Sequence, residues 1–382
     1  MNHKIWRVGI LKDSSKPMLG LHGLHLACRG LPNVEVVAHV DSNPADIAAK
    51  MAVTQAKRHY LDYQEMLDKE KPDIVILCSR HPFDHLPQIK AAAERGCHVY
   101  CEKTLAGNLQ EADAIVELVE RHRIKLCVPH YARHSLAFLT MKKMIEAGEI
   151  GTPLTFLGRG KEDHRGGGED LIVLGTHILD LQNLFFGPPE SVHGEVNANG
   201  RPIVKTDRSQ TVEPLGPVAG DDVFACFRLA DGVRGIFESR RGLASGGAVR
   251  MGVTVVGSEG ALTTRFHDAT LEAPPRLSRS RGAPEDGAAF EEVPLQECRE
   301  FPEAEPLDYS LCATQLPTAR YFLESQRLFF WDLIRSIEED RQPHSGVHEA
   351  QLVQEMIQGI YASHLSGSVV PFPLAARTHP LA

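Results

Sequence analysis

Apolar and polar positions follow two rhythms along this chain. From the start to about residue 130, short apolar runs with β character occur at Trp6–Leu11, Val34–Val40, Asp73–Cys78, Cys97–Tyr100 and Lys125–Val128. Stretches with helical spacing separate them: Leu19–Cys28, Pro44–Met51, Tyr63–Lys69, Phe83–Glu94 and Leu109–His122. Strand and helix alternating at this spacing predict right-handed βαβ units and a doubly wound parallel sheet over residues 1–130. From Pro153 the rhythm changes. A helix around His177 is followed by alternating stretches at Ser191–Ala198, Val223–Leu229, Gly235–Arg240, Arg250–Gly257 and Ala261–Phe266, which predict an open antiparallel sheet flanked by helices over 131–382. Residues 272–306, rich in Pro, Glu, Arg and Gly, read as a long loop, and amphipathic helices are expected at Ala319–Glu339 and Val347–His364. The fold class is therefore α/β followed by α+β.

Composition narrows the function. A chain of 382 residues exceeds what one hydrophobic core usually organises. A net charge of −9 without a long basic run argues against nucleic acid or an anionic membrane as the main partner. No segment approaches the roughly 20 apolar residues of a membrane span, and MNHKIWRVGILK enters a strand without a signal-like apolar stretch. Eight cysteines lack CxxC or zinc-ligand spacing, and Cys78, Cys97, Cys101 and Cys127 fall in expected strands. Such cysteines act as small buried hydrophobes in a reducing compartment, so the expectation is a cytoplasmic protein without a metal site.

Two segments carry candidate chemistry. In VLGTHILDLQNLFFG, apolar residues at helical spacing bury one face and leave His177 on another. At about 100° per residue, Asp170 comes nearly into line with His177 two turns earlier, and Asp180 follows one turn later at an offset of ~60°. The helix is thus expected to flank an imidazole with two carboxylates, an arrangement that raises its basicity and fixes its tautomer. Seventy residues upstream, the strand-like run in GCHVYCEKTLA ends in Glu102 and Lys103, at the carboxyl edge where parallel sheets bind ligands. A lysine there can be partly desolvated, bringing its pKa toward the range useful for proton transfer. His130 and Arg133, after the run Lys125–Val128, lie near the same edge and are further candidates for cofactor or substrate contacts.

The glycine fingerprint of a dinucleotide site is incomplete. Gly9 lies within the first strand, Gly20 and Gly23 have the spacing of the last two fingerprint glycines, and Met18 stands in place of the first. The intervening KDSSKPM offers Lys12, Ser14, Ser15 and Lys16 as pyrophosphate donors. Asp41 ends the second strand 18 residues after Gly23, where an acid receives a ribose hydroxyl and repels a 2'-phosphate, which favours NAD over NADP. Ser42 beside it lies at the same cofactor edge. The alternative for Asp41 is a turn residue in Asp-Ser-Asn-Pro.

Together these segments resemble the glucose-fructose oxidoreductase, inositol dehydrogenase and rhizopine-catabolism family, written Gfo/Idh/MocA. DIVILCSRHPFDHLPQIKAAAERGCHVYCEKTLA is similar to its strand, cofactor loop, helix, strand and Glu-Lys-Pro segment; GTHILDLQNLFFG, GEIGTP, GSEGAL and RSIEEDRQPHSGVHEA are similar to elements of its second half. The resemblance implies a Rossmann domain, a C-terminal sheet that covers the site and assembles homodimers or homotetramers, and a nicotinamide cofactor used on sugars or polyols. It also implies Lys103 in proton transfer and nicotinamide placement, His177 beside the reacting carbinol, and the loop with Ser79, Arg80, His81 and His85 along the cofactor. Three positions depart from the pattern: Met18 for a glycine, Thr104 for the proline after the lysine, and Val173 for an aspartate one turn before His177.

The expected chemistry is hydride transfer between a sugar-like CH–OH and the nicotinamide, with Lys103 and His177 acting on the hydroxyl proton. In RGKEDHRGGGED, Arg159, Lys161, Asp163, His164 and Arg165 precede three glycines that can shape a loop against a ligand, so Arg159, Lys161, His164 and Asp170 join the substrate candidates. Two other outcomes remain open at this point: hydrolysis or elimination by transient oxidation with bound NAD, and a non-catalytic NAD-binding sensor.

Overall fold

The computed structural model describes residues 4–16, 23–211, 214–244, 250–266, 276–284, 287–311 and 319–382. The chain divides into two compact units, Met1–Tyr131 with Glu300–Gln351, and Ala132–Arg299 with Leu352–Ala382. A single boundary near residue 130 does not describe this division, because Glu300–Gln351 packs with the first unit. Tyr100 meets Phe330 edge-on at 5.5 Å, the Val128 N–H donates to the Ser345 carbonyl at 2.9 Å, and Lys125 pairs with Asp340 at 2.9 Å.

The first unit is built on β1 (Trp6–Leu11), β2 (Val34–Val40), β3 (Arg58–Tyr60), β4 (Ile74–Leu77), β5 (His98–Cys101) and β6 (Leu126–Cys127). Among the described residues they form one parallel sheet in the order β3-β2-β1-β4-β5-β6. The order reverses between β1 and β4, the switch point at which such sheets open a crevice beyond their carboxyl ends. Helices α1 (Ile47–Thr54), α2 (Tyr63–Glu70), α3 (His85–Ala93) and α4 (Leu109–His122) connect the strands. α4 starts at Leu109 because the Asn108 side chain accepts from the Glu111 N–H at 2.9 Å, capping the first turn. Its buried stripe of Leu109, Ala112, Ile115 and Val119 joins the core beneath the sheet, where each large aliphatic side chain contributes about 1.5–3 kcal/mol. Of the helix expected over Leu19–Cys28, the described part holds a 3-10 turn at Leu24–Leu26, and residues 17–22 lie outside the described residues.

The second unit opens with α5 (Leu136–Glu146) and β7 (Pro153–Arg159), a strand the alternation did not reveal. Its sheet continues with β8 (Ser191–Ala198), β9 (Arg201–Pro202), β10 (Asp222–Arg228), β11 (Arg234–Arg240), β12 (Gly252–Gly257), β13 (Ala261–Arg265), β14 (Leu277–Ser280) and β15 (Phe290–Val293), and closes with β16 (Val370–Pro371). Spatial order is β15-β14-β13-β12-β7-β11-β10-β8-β16, with β9 paired to β8. The sheet is mixed: β7 runs parallel to β11, and the other pairs are antiparallel. β14 and β15 correct the expectation of a loop over 272–306; Leu-Ser-Arg-Ser and Phe-Glu-Glu-Val are too short and too polar to show an apolar alternation. α6 (Thr176–Phe186) lies on one face of this sheet, with Phe185 and Phe186 against Phe156. Two long helices, α7 (Ala319–Glu338) and α8 (Val347–Ser366), complete the chain close to their expected limits.

Candidate active site

The loops after β1, β2 and β4 line an open cleft at the carboxyl edge of the first sheet. Its walls include Lys12, Asp13, Lys16, Ser42, Tyr63, Ser79 and Asp84. Lys16 Nζ lies 2.7 Å from Asp84 Oδ1, and the Ser79 hydroxyl donates to Asp84 Oδ2 at 2.7 Å, so the first and fourth strand loops are tied across the crevice. Ser14 donates its N–H to Asp41 Oδ1 at 3.1 Å, and Ser15 donates both its N–H and its hydroxyl to Asp13 Oδ1 at 3.0 and 2.6 Å. The Ser42 hydroxyl donates to Asp13 at 2.8 Å. Gly9 stands apart from this edge. It lies inside β1, where a Cβ would come within 2.9 Å of the Met66 thioether, so its small size admits α2 rather than a phosphate. Gly20 lies outside the described residues.

Asp41 is 1% exposed. Its Oδ1 accepts from the Ser14 and Asn43 N–H groups at 3.1 and 2.9 Å, and its Oδ2 pairs with Lys50 Nζ at 2.8 Å. Burial raises its pKa, but hydrogen bonds from Lys50, Ser14 and Asn43 outweigh burial and hold the carboxyl below its usual range. The bond to Asn43 is the Asx turn that Asp-Ser-Asn-Pro suggests.

β5 delivers Glu102 and Lys103 to the same edge: the Glu102 N–H extends the sheet pattern by donating to the Leu77 carbonyl at 3.0 Å. Glu102 Oε1 accepts from the Lys103 N–H at 3.0 Å, and the Lys103 side chain is 1% exposed. The Lys103–Thr104 peptide is cis. Arg80 is buried and His81 half-buried in the loop after β4. His85 follows in the first turn of α3. It is fully buried, and its ring nitrogens face the Leu105 and Ser79 carbonyls at 3.0 and 2.8 Å, joining the β4 loop to the segment after Lys103. His130 is buried with Nδ1 3.5 Å from the Ser345 hydroxyl, which in turn donates to the Val128 carbonyl at 2.6 Å.

In the second unit His177 is the second residue of α6 and is 3% exposed. The helix before it is not regular. Leu171–Gly175 is a π turn, which takes up one residue more than an α turn and slips the phase by about 100°. Asp170 therefore leaves the line of His177: its Oδ2 accepts from the Ser239 hydroxyl at 2.6 Å and the Glu162 N–H at 3.1 Å. Burial raises its pKa, and among the described residues Oδ1 has no hydrogen-bond partner. Asp180 is engaged by the buried Arg133, whose Nε reaches its oxygens at 2.8 and 2.9 Å. The two carboxylates expected beside the histidine thus serve Ser239, Glu162 and Arg133.

The candidate substrate loop is largely self-neutralised. Arg159 bridges Glu162 at 3.2 Å and Glu238 at 2.8 Å, and the fully buried Glu162 also holds Arg250 at 3.2 Å. Lys161 and Arg165 pair with Asp163, which burial would raise but these partners hold down at about 2. His164 projects to solvent, 81% exposed. The three glycines approach backbone rather than ligand: a Cβ on Gly167, where φ is +90°, would fall 2.5 Å from Asp221 Cα, and one on Gly168 2.2 Å from the Ala219 carbonyl oxygen.

Comparison with known proteins agrees with this architecture. Residues 21–130 match the family described as "Oxidoreductase family, NAD-binding Rossmann fold", and residues 138–263 match the "GFO/IDH/MocA C-terminal domain". The chain belongs to the Gfo/Idh/MocA oxidoreductase family, and its first unit carries that family's NAD-binding Rossmann fold. D-apiose dehydrogenase of Paraburkholderia graminis is 30% identical over 173 residues, covering 42% of this chain and 45% of the relative. Levoglucosan dehydrogenase of Pseudarthrobacter phenanthrenivorans is 29% identical over 262 residues, covering 62% and 66%. The chain thus spans about half to two thirds of the length of these curated relatives. A solved levoglucosan dehydrogenase in complex with NADH and L-sorbose shares the fold, with a TM-score of 0.73 and 20% identity over 97% of this chain and 100% of the other.

Proposed function

We propose that this protein is an NAD-dependent dehydrogenase acting on a CH–OH group of a sugar, glycoside or polyol. The carrying observation is the buried Lys103 at the end of β5, on the same sheet edge as a cleft lined by hydroxyls and two lysines. That edge fits a dinucleotide: Lys12 and Lys16 offer cations for a pyrophosphate, Ser14, Ser15 and Ser42 offer hydroxyls, and Leu61 and Tyr63 offer a flat apolar wall. When bound, a nicotinamide dinucleotide exchanges the hydride that a CH–OH carbon gives up or receives. The chain supplies the proton chemistry. Lys103 takes or returns the proton of the reacting hydroxyl, and His177 holds that hydroxyl and shares the proton. Sugar-like substrates follow from the apiose and levoglucosan dehydrogenases among its relatives. The burial of Cys28, Cys78, Cys97 and Cys101 as small apolar side chains supports a reducing, cytoplasmic compartment.

The test is mass spectrometry of the purified protein for dinucleotide, titration with NADH and NADPH, and a sugar, polyol and glycoside panel read at 340 nm. The expected result is tighter binding of NADH and reduction of NAD by at least one panel member. Glycoside turnover without net NADH would move the reading to transient oxidation, and binding without turnover would move it to a sensor.

The open face of the second sheet is the proposed assembly surface, and its occupant is a second copy. Register aligns Cys226, Ile236, Leu157, Thr254 and Thr263 in one row across β10, β11, β7, β12 and β13, with Leu157 and Phe290 exposed. Charges of both signs border the row, including the pairs Arg159–Glu238 and Arg240–Asp222, which suits a self-complementary interface. The variant carrying Leu157→Asp and Ile236→Asp is expected to sediment as monomers where the parent sediments as a dimer or tetramer. Unchanged sedimentation of the variant removes this face from assembly.

A further inference from the structure

Two carboxylates in the loops after β1 and β2 of the first unit differ in what their oxygens do. Asp41, at the position where the sheet pattern expects the ribose acid, is spent. Its two oxygens are taken by two backbone N–H groups and an ammonium, it is 1% exposed, and it does not line the cleft. Lys50 is pinned in turn, donating to the Asn43 carbonyl at 2.8 Å. This arrangement stitches the loop after β1 to the loop after β2.

Asp13 is the opposite case. It follows β1 by two residues, lines the cleft together with Ser42, and is held chiefly by hydroxyls. Ser42 Oγ donates to Oδ1 at 2.8 Å and Oδ2 at 3.0 Å, and Ser15 Oγ donates to Oδ1 at 2.6 Å. Hydroxyl donors on a carboxylate mark a place where other hydroxyls can bind, because a rotating Ser Oγ–H can be exchanged for a ligand O–H without breaking a backbone contact. No ion pair is found for Asp13 among the described residues, whereas Asp41 is neutralised by Lys50 at 2.8 Å. Of the two carboxylates in the cleft wall, Asp84 is paired with Lys16 at 2.7 Å and Asp13 with no cation among the described residues. A carboxylate there accepts the vicinal hydroxyls of a ribose and repels a phosphate on either oxygen.

We propose that Asp13, with Ser42 beside it, receives the adenosine ribose hydroxyls of the dinucleotide and sets the preference for NAD over NADP, while Asp41 is a positioning residue that holds the two loops in register. This rests on the dinucleotide reading above and moves its specificity element from β2 to the loop after β1. It also accounts for an acid within KDSSKPM, where only phosphate donors would otherwise be expected.

The experiment is calorimetric titration of the full-length protein, its Asp13→Asn variant and its Asp41→Asn variant with NADH and NADPH, with Tm measured for each. Asp13→Asn is expected to bind NADH about tenfold more weakly, to narrow the NADH:NADPH affinity ratio at least tenfold, and to keep its Tm, since the side chain lies at the surface of a cleft. Asp41→Asn is expected to lower Tm and to weaken both dinucleotides by a similar factor, leaving their ratio within about twofold. Ser42→Ala is expected to narrow the ratio in the same direction as Asp13→Asn, by a smaller factor. An unchanged ratio in Asp13→Asn overturns the assignment, as does loss of the preference in Asp41→Asn alone. Failure of the parent protein to bind either dinucleotide overturns the cofactor reading itself, and this inference with it.

Discussion

Lys103→Ala and His177→Ala are each expected to lower turnover by roughly two orders of magnitude or more on the best substrate found, with NADH binding retained in the histidine variant. General acid–base help to a reacting hydroxyl is typically worth about 100- to 10,000-fold, and removal of its agent forfeits that factor in kcat. The structure adds a reason to expect the full loss for lysine. Its side chain is 1% exposed, so water does not readily stand in for the missing amine. Because both residues are proposed to act on one proton, the double variant should lose far less than the product of the two single losses. Stopped-flow turnover and NADH titration of the three variants read this directly. Near-normal rates in both single variants would remove both catalytic assignments. Val173→Asp provides a contrast: it puts a carboxylate into a buried position of the π turn, and gain of a second ionisation in the pH–rate profile would report its coupling to His177.

The second large effect is acid instability of the first unit. His25 and His39 are both buried; desolvation, reinforced by the charge of Lys12, pushes His25 down to about 3, and desolvation pushes His39 down to about 4 against the opposing charge of Asp41. In the unfolded chain both return to about 6.5. Between pH 6.5 and 4 the unfolded state therefore binds more protons than the folded state, so stability is complete above pH 6.5 and is lost as pH falls toward the folded values. Charging either imidazole in the folded state costs on the order of a few kcal/mol, a large share of the stability of a typical domain. Urea unfolding at pH 7.5, 6 and 5 should show a midpoint that falls steeply below pH 6.5, and a shallower fall in His39→Gln. A midpoint constant across that range would contradict it.

Much of this architecture was legible in the amino-acid order. β1 and β2 begin and end where the apolar runs do, and α4 spans the stretch its periodicity marks, because each is bounded by turn or cap residues that stop it. β3 escaped notice since Arg58–Tyr60 has no apolar run, and β7 because its outward positions include Leu154 and Leu157. The places of Lys103 at a strand end and of His177 on a helix are readable from the sequence pattern. Partnering is not. The spacing of Asp170 assumed an unbroken α helix, and nothing local announces a π turn. Arg133 and Asp180 are 47 residues apart, as remote as any pair that only tertiary structure introduces. Charged residues in RGKEDHRGGGED looked available to a ligand because a linear reading sees charges singly, while the fold brings Glu162, Glu238 and Arg250 among them. Asp13 carries no signal of its own in the sequence, because a carboxylate is a poor pyrophosphate donor and its neighbour Ser42 lies 29 residues away.

The division of the chain also governs how the protein is born. All six strands of the first sheet have been synthesised once residue 131 is added, yet Gln326, Phe330, Val347 and Ala350, which cover Tyr100 and its neighbours, are still unmade. At about 5–20 residues per second, roughly 10–40 s pass before Gln351 appears. During that interval the nascent Rossmann half carries a greasy flank with no cover, a natural target for ribosome-associated chaperones and for misassembly between neighbouring chains on one message.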